Sequence, residues 1–80
     1  MKIQLLSFAA FRDFLPNTQT LELESSATVA DLKNLLKQQY PELTKLLGIS
    51  RVSINQSIVA ETEVINDGAI IALLPPSSGG

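Results

Sequence analysis

Residues 2–8 alternate with a period of two, placing Ile3 and Leu5 on one face and Lys2, Gln4, Leu6 and Phe8 on the other. The second face starts polar and turns apolar. Phe11 and Phe14 follow around Arg12-Asp13, and Leu15-Pro16-Asn17 supplies turn chemistry, because proline fixes φ and asparagine tolerates unusual backbone angles. Residues 18–24 alternate again, with Leu21 and Leu23 facing inward. The two runs predict a β-hairpin.

A loop at Ser25-Ser26-Ala27 leads to Thr28, with Asp31 three residues on, the spacing of a capping box that satisfies orphan N–H groups at a helix start. Val29, Leu32, Leu35, Leu36 and Tyr40 then recur at helical spacing, with Lys33, Asn34, Lys37 and Gln38 turned away. Pro41 disfavours helical geometry at Tyr40 and ends the helix. Residues 42–47 predict a short extra turn closed by Gly48 as a C-cap.

Residues 51–55 alternate with Val52 and Ile54 inward, and Ile58-Val59 forms a short strand beyond a turn at Asn55-Gln56-Ser57. Asn66-Asp67-Gly68 marks another turn. It launches the unbroken apolar run of residues 69–74, which reads as a central strand and is stopped by Pro75-Pro76, since neither proline can donate to a ladder. The order strand, strand, helix, strand, short strand, strand predicts an α+β domain: a mixed sheet with one main helix packed on one face. Residues 1–74 form the domain and residues 75–80 a flexible C-terminal tail. One helix covers one face only, so Leu6, Phe8 and part of the last strand are left exposed unless the segment of residues 15–18 or that of residues 43–48 folds over them. An uncovered apolar patch on a small domain marks a partner surface.

Composition narrows the chemistry. The chain has 80 residues, 45% hydrophobic, with neither Cys nor His. One modest core is possible, and no disulfide or Cys/His metal site can reinforce it. Thiol nucleophiles, imidazole bases and zinc chemistry on such side chains are excluded. A net charge of −2 leaves no basic footprint for nucleic acid. The longest apolar run is far shorter than the roughly 20 residues of a membrane span, and the first residues lack a signal-peptide pattern, so the expected location is the cytoplasm. Asp13, Asp31 and the glutamates fall on turns, a cap or strand exteriors, with no pair spaced for acid–base work.

Beyond Pro75 and Pro76, which favour an extended path, come Ser77, Ser78, Gly79 and Gly80. Six residues reach about 20 Å, and nothing after Pro76 is larger than serine. Such a tip fits a narrow channel. At its end the α-carboxylate of Gly80, ionised at neutral pH, is the one carboxyl group that can be carried deep into another protein. Read without further context, a Ser/Gly-rich terminus is an ordinary disordered end.

Ala72-Leu73-Leu74-Pro75-Pro76-Ser77-Ser78-Gly79-Gly80 resembles the C-terminus of the molybdopterin synthase small subunit family, the sulfur carriers of molybdenum cofactor biosynthesis. Phe8-Ala9-Ala10-Phe11-Arg12-Asp13, Thr28-Val29-Ala30-Asp31-Leu32, Val52-Ser53-Ile54-Asn55-Gln56 and Asn66-Asp67-Gly68 are similar to the family's corresponding segments. The resemblance spans essentially the whole chain. Ser77 stands where the family often has Val or another small residue, and Leu73 and Leu74 where many relatives have aromatics.

The resemblance implies a ubiquitin-like β-grasp fold and a carrier that is not an enzyme on its own. A ubiquitin-activating-type adenylyltransferase would join the Gly80 carboxylate to AMP from ATP, and a sulfurtransferase system would replace AMP with sulfur to give a thiocarboxylate. The tail would then enter the large subunit of molybdopterin synthase, whose active site uses that sulfur to build the dithiolene on the pterin precursor, precursor Z. No cofactor would be bound by the carrier itself; ATP would be used by the activating partner. Gly79 would let the tip bend, Pro75 and Pro76 would hold it off the sheet, and Phe8, Ile58 and Leu74 would form the docking face. Arg12 matches a family basic position, although one arginine near a turn is ordinarily a solvated charge. The alternatives are another β-grasp sulfur carrier, of the thiazole-synthesis or tRNA-thiolation type, and a non-catalytic β-grasp interaction module.

Overall fold

The first and last strands lie side by side within one sheet. In the computed structural model, which describes residues 1–76, strand β1 (Lys2–Ser7) pairs antiparallel with β2 (Thr18–Glu22) and parallel with the last strand, β5 (Ile70–Leu74). On its other side β5 pairs antiparallel with β3 (Arg51–Ile54), which pairs antiparallel with β4 (Ser57–Val59). The order across the sheet is β2-β1-β5-β3-β4. Helix α1 (Val29–Gln39) and the short helix α2 (Thr44–Ile49) supply the second layer. This is the mixed sheet with one main helix on one face that the patterning predicts.

Local sequence explains each element. The capping box at Thr28 is present in both directions: the Asp31 N–H donates to Thr28 Oγ1 at 3.3 Å, and the Thr28 N–H donates to Asp31 Oδ2 at 2.9 Å. The N–H groups of Val29 and Ala30 donate to the carbonyls of Glu63 and Glu61 at 3.0 and 2.9 Å. The donors of the first helical turn are therefore consumed internally, and the helix start is closed to an anion. Helix α1 stops at Gln39, and Pro41 opens a 3₁₀ turn, Pro41–Leu43, that leads into α2. Asn55 and Gln56 adopt φ of 50° and 74°, the left-handed pair that a two-residue hairpin turn needs to match strand twist. At the turn before β5, Gly68 has φ 80° and its N–H donates to the Lys2 carbonyl at 2.8 Å, while Asp67 Oδ1 accepts from the Lys2 N–H at 2.8 Å. The last strand is thus delivered beside the first.

The core lies between the sheet and the helices. Ile3 and Leu5 of β1, Ile71 and Leu73 of β5 and Val52 of β3 pack with Val29, Leu32 and Leu36 of α1. Phe11 from the 3₁₀ turn Ala9–Asp13, with Leu15, Leu43 and Leu47, joins the same cluster. Those last residues answer the question of cover: the segments around Leu15 and Leu43–Leu47 seal the helix side of the sheet and leave the opposite face open.

Three local readings change. Lys33 does not turn away: it is 4% exposed, its Nζ donates to the Ser50 carbonyl at 2.8 Å, and it forms a salt bridge to Glu61 Oε1 at 3.1 Å. Its aliphatic stem is long enough to cross the apolar stripe while the ammonium reaches polar partners at the rim. Gly48 lies inside α2 rather than capping it, and the helix ends at Ser50, whose hydroxyl donates to the Leu46 carbonyl at 2.6 Å. Leu35, counted in the helical stripe, is only half-buried.

Candidate functional site

The open face follows directly from strand register. Thr18, Leu6, Ala72, Ser53 and Ile58 lie side by side across all five strands, in a row set by four consecutive pairings. Because side chains alternate along each strand, Gln4 and Ile70 share that outer face, as do Leu74 and Arg51 at the opposite end, where β5 leads to Pro75. The polar-to-apolar gradient of β1 therefore becomes a spatial one. Its Lys2 end faces Glu22, and its Phe8 end lies beside the strand that carries the tail.

A groove of about 460 Å³ runs along this face, lined by Leu6, Phe8, Ile70 and Leu74 with Ala72 at its floor and the Asn55-Gln56 turn at one end. Phe8 is 37% and Ile70 45% exposed, a large apolar area for a domain of this size. Phe8 is held in place. The Arg12 guanidinium lies over its ring, 5.5 Å from the centroid, and Arg12 Nε donates to the Ser7 carbonyl at 3.2 Å. The far end is fixed by Asn55, which accepts from the Ile70 N–H at 3.0 Å through Oδ1 and donates its own N–H to the Ile70 carbonyl at 2.8 Å. A side chain here continues the β3–β5 ladder past the end of β3.

A second groove, of about 410 Å³, lies on the β4 side of the tail root and is lined by Ile49, Arg51, Ile58, Leu74, Pro75 and Pro76. Leu74 borders both grooves. Of the residues singled out from the sequence, Phe8 and Leu74 thus share the first groove, and Ile58, 58% exposed, shares the second with Leu74. Pro75 is half-buried and Pro76 exposed. Ser77, Ser78, Gly79 and Gly80 lie outside the described residues. Ile70, Ile49 and Arg51 were not singled out, although an apolar residue at 70 within a run hydrophobic on both faces is a signal that could have found Ile70.

Among the described residues no group of acidic side chains is arranged to hold a metal ion, and no helix is long and apolar enough to cross a membrane. The chain has neither His nor Cys, and both grooves are lined mainly by apolar side chains, with Arg51, Ser53, Asn55 and Gln56 as their polar members.

A five-stranded mixed sheet with one main helix packed on one face, and a last strand lying centrally between β1 and β3, defines the ubiquitin-like β-grasp class. Within it, the ThiS family model matches residues 5–80, and the chain belongs to the ThiS family. The molybdopterin synthase sulfur carrier subunit of Chlamydomonas reinhardtii is 34% identical, with all of both chains covered. That of Mycobacterium tuberculosis (strain ATCC 25618 / H37Rv) is 29% identical, covering all of this chain and 99% of the relative. Among solved structures, the complex of subunits 1 and 2 of molybdopterin-converting factor from Helicobacter pylori 26695 contains a chain that superposes with a TM-score of 0.73, at 22% identity and full coverage of both chains.

Proposed function

We propose that this chain is the sulfur carrier subunit of a molybdopterin synthase, working in the cytoplasm. The observation that carries the reading is the placement of the last strand. It lies at the sheet centre with an uncovered apolar face along it, and it runs straight into Pro75 and Pro76 at the edge of that face. A partner that grips the open face thereby fixes where the tail leaves the body. The relatives named as molybdopterin synthase sulfur carrier subunits support the reading along the whole chain.

In this scheme the body of residues 1–74 docks and residues 75–80 deliver. Phe8, Ile58 and Leu74 anchor the docking face. Gly80 carries the reacting group: a free carboxylate is a poor electrophile, so a ubiquitin-activating-type adenylyltransferase first joins it to AMP at the expense of ATP, releasing pyrophosphate. A sulfurtransferase system then displaces AMP to leave a thiocarboxylate. Ser77, Ser78 and Gly79 pass through a narrow channel because none has a bulky side chain. In the large subunit the thiocarboxylate gives its sulfur to precursor Z, and the catalytic groups belong to that subunit. The carrier contributes position and a sulfur atom.

Co-purification tests the assignment against its sibling carriers. The tagged chain is expected to retain a molybdopterin synthase large subunit from the same cell, and selective retention of a thiazole synthase instead would overturn the assignment.

A further inference from the structure

The charged groups of the open face are not evenly distributed. At one end Lys2 stands opposite Glu22 in register, so two charges face each other. At the tail end Arg51 stands opposite Leu74, an uncharged neighbour, and has no salt-bridge partner among the described residues. The other arginine nearby, Arg12, is engaged on the Phe8 ring and the Ser7 carbonyl. In a chain of net charge −2, a guanidinium with no salt-bridge partner among the described residues thus lines the same groove as Pro75 and Pro76. Around it, Ile49 is 61% and Ile58 58% exposed, and both line the second groove with Arg51, Leu74 and the two prolines.

From this we infer that the docking surface continues past Leu74 into the Ile49–Ile58 groove, and that this groove takes a segment of the synthase large subunit in which a carboxylate flanks an apolar side chain. The inference rests on the carrier reading above and deepens it. The groove is continuous with the open face through Leu74, so one partner can occupy both. Arginine presents a planar fork of donors that matches a carboxylate in two parallel hydrogen bonds, and it recurs with aromatic and aliphatic anchors at interface centres. A single cation in a groove with two exposed isoleucines accepts an acidic partner and rejects a basic one, which supplies selectivity that an apolar face alone lacks. Because Arg51 sits at the point where the chain turns into Pro75, this pairing also sets the direction in which the tail leaves toward the partner's channel.

The test is binding of the purified large subunit to the full chain by calorimetry at low and high ionic strength. Arg51→Glu is expected to raise Kd by roughly 30-fold at low salt and by much less at high salt, with Arg51→Gln between it and the unaltered chain. Ile49→Ala is expected to raise Kd about fivefold at both salt concentrations, because it removes apolar area and no charge. Val64→Ser alters a residue 49% exposed at the bridge to Thr28, outside both grooves, and is expected to leave Kd unchanged. All three positions are exposed, so thermal melting verifies that each variant is folded. Unaltered binding by Arg51→Glu, or an equal loss in Val64→Ser, would overturn the inference while leaving the carrier reading intact. Failure of the unaltered chain to bind would overturn the carrier reading and the inference with it.

Discussion

Phe8 and Phe11 are three residues apart and sit on opposite sides of the sheet, which makes them a matched pair for separating docking from folding. Phe11 is fully buried in the core cluster. Phe11→Ala therefore removes a ring enclosed on all sides and leaves a cavity, at a cost of about 3–5 kcal/mol. Phe8, 37% exposed, lies on an open surface where truncation encloses no void, so only the transfer term for its covered part is lost, about 1–2 kcal/mol. Loss of the Arg12 guanidinium stacked on its ring adds about 0.5 kcal/mol. In a domain of this size about 1 kcal/mol moves the melting midpoint by roughly 4–8 °C, so the two variants separate clearly in a thermal scan. Binding should rank them the other way. As an aromatic anchor in the central groove, Phe8 is expected to contribute about 2 kcal/mol to association, or roughly 30-fold in Kd for the large subunit. Phe11→Ala is expected to lose affinity only in proportion to its unfolded fraction. A melting loss for Phe8→Ala as large as that of Phe11→Ala, or an unchanged Kd, would refute the division of the sheet into a core face and a docking face.

Further expectations concern the frame and the tail. Lys33→Ala should cost about 2–4 kcal/mol in urea unfolding, because it strands the Ser50 carbonyl and removes a buried stem, whereas Glu61→Gln should cost less than about 1 kcal/mol, since the Glu61 side chain is 63% exposed; equal losses would mean that the salt bridge rather than the Ser50 contact fixes Lys33. Gly48→Ala should stabilise by about 0.5–1 kcal/mol, because the residue is helical and nothing lies within 4 Å of the added Cβ, while Gly68→Ala, with as much space but φ +80°, should destabilise by about 1 kcal/mol or more, both read from denaturant midpoints. Gly79→Val, or one residue added after Gly80, should abolish sulfur transfer in a reconstituted synthase assay without shifting the melting midpoint; normal transfer by either variant would remove the channel argument.

What the sequence made legible was what local chemistry decides. The Thr28–Asp31 box, the stop at Pro41, the hairpin from β1 to β2 and the turn at Asn66-Asp67-Gly68 are each written in neighbouring residues, and each appears in the structure. The uncovered face was legible too, because two faces of alternating strands cannot both be covered by one helix. The parallel pairing of β1 with β5 was not, since it joins residues more than sixty positions apart and depends on the turn at Gly68 bonding to Lys2. Lys33 escaped for a related reason: periodicity assigns a charged residue to solvent, and only the return of residues 50 and 61 to the helix side supplies its partners. Gly48 carried an ambiguous signal, because a glycine near a helix end reads as a cap whether or not the helix runs through it. The Ile49–Arg51 groove was invisible for the same reason as the sheet order: its walls come from α2, β3, β4 and the tail root.

In the proposed scheme Gly80 carries the sulfur. Intact mass measured after incubation with the activating enzyme, ATP and a sulfur donor tests it most directly. The expected product is a species in which one oxygen of the chain is replaced by sulfur, appearing only when ATP is present and lost when a residue is added after Gly80. A chain whose mass is unchanged under conditions in which the same enzymes charge another carrier would contradict it.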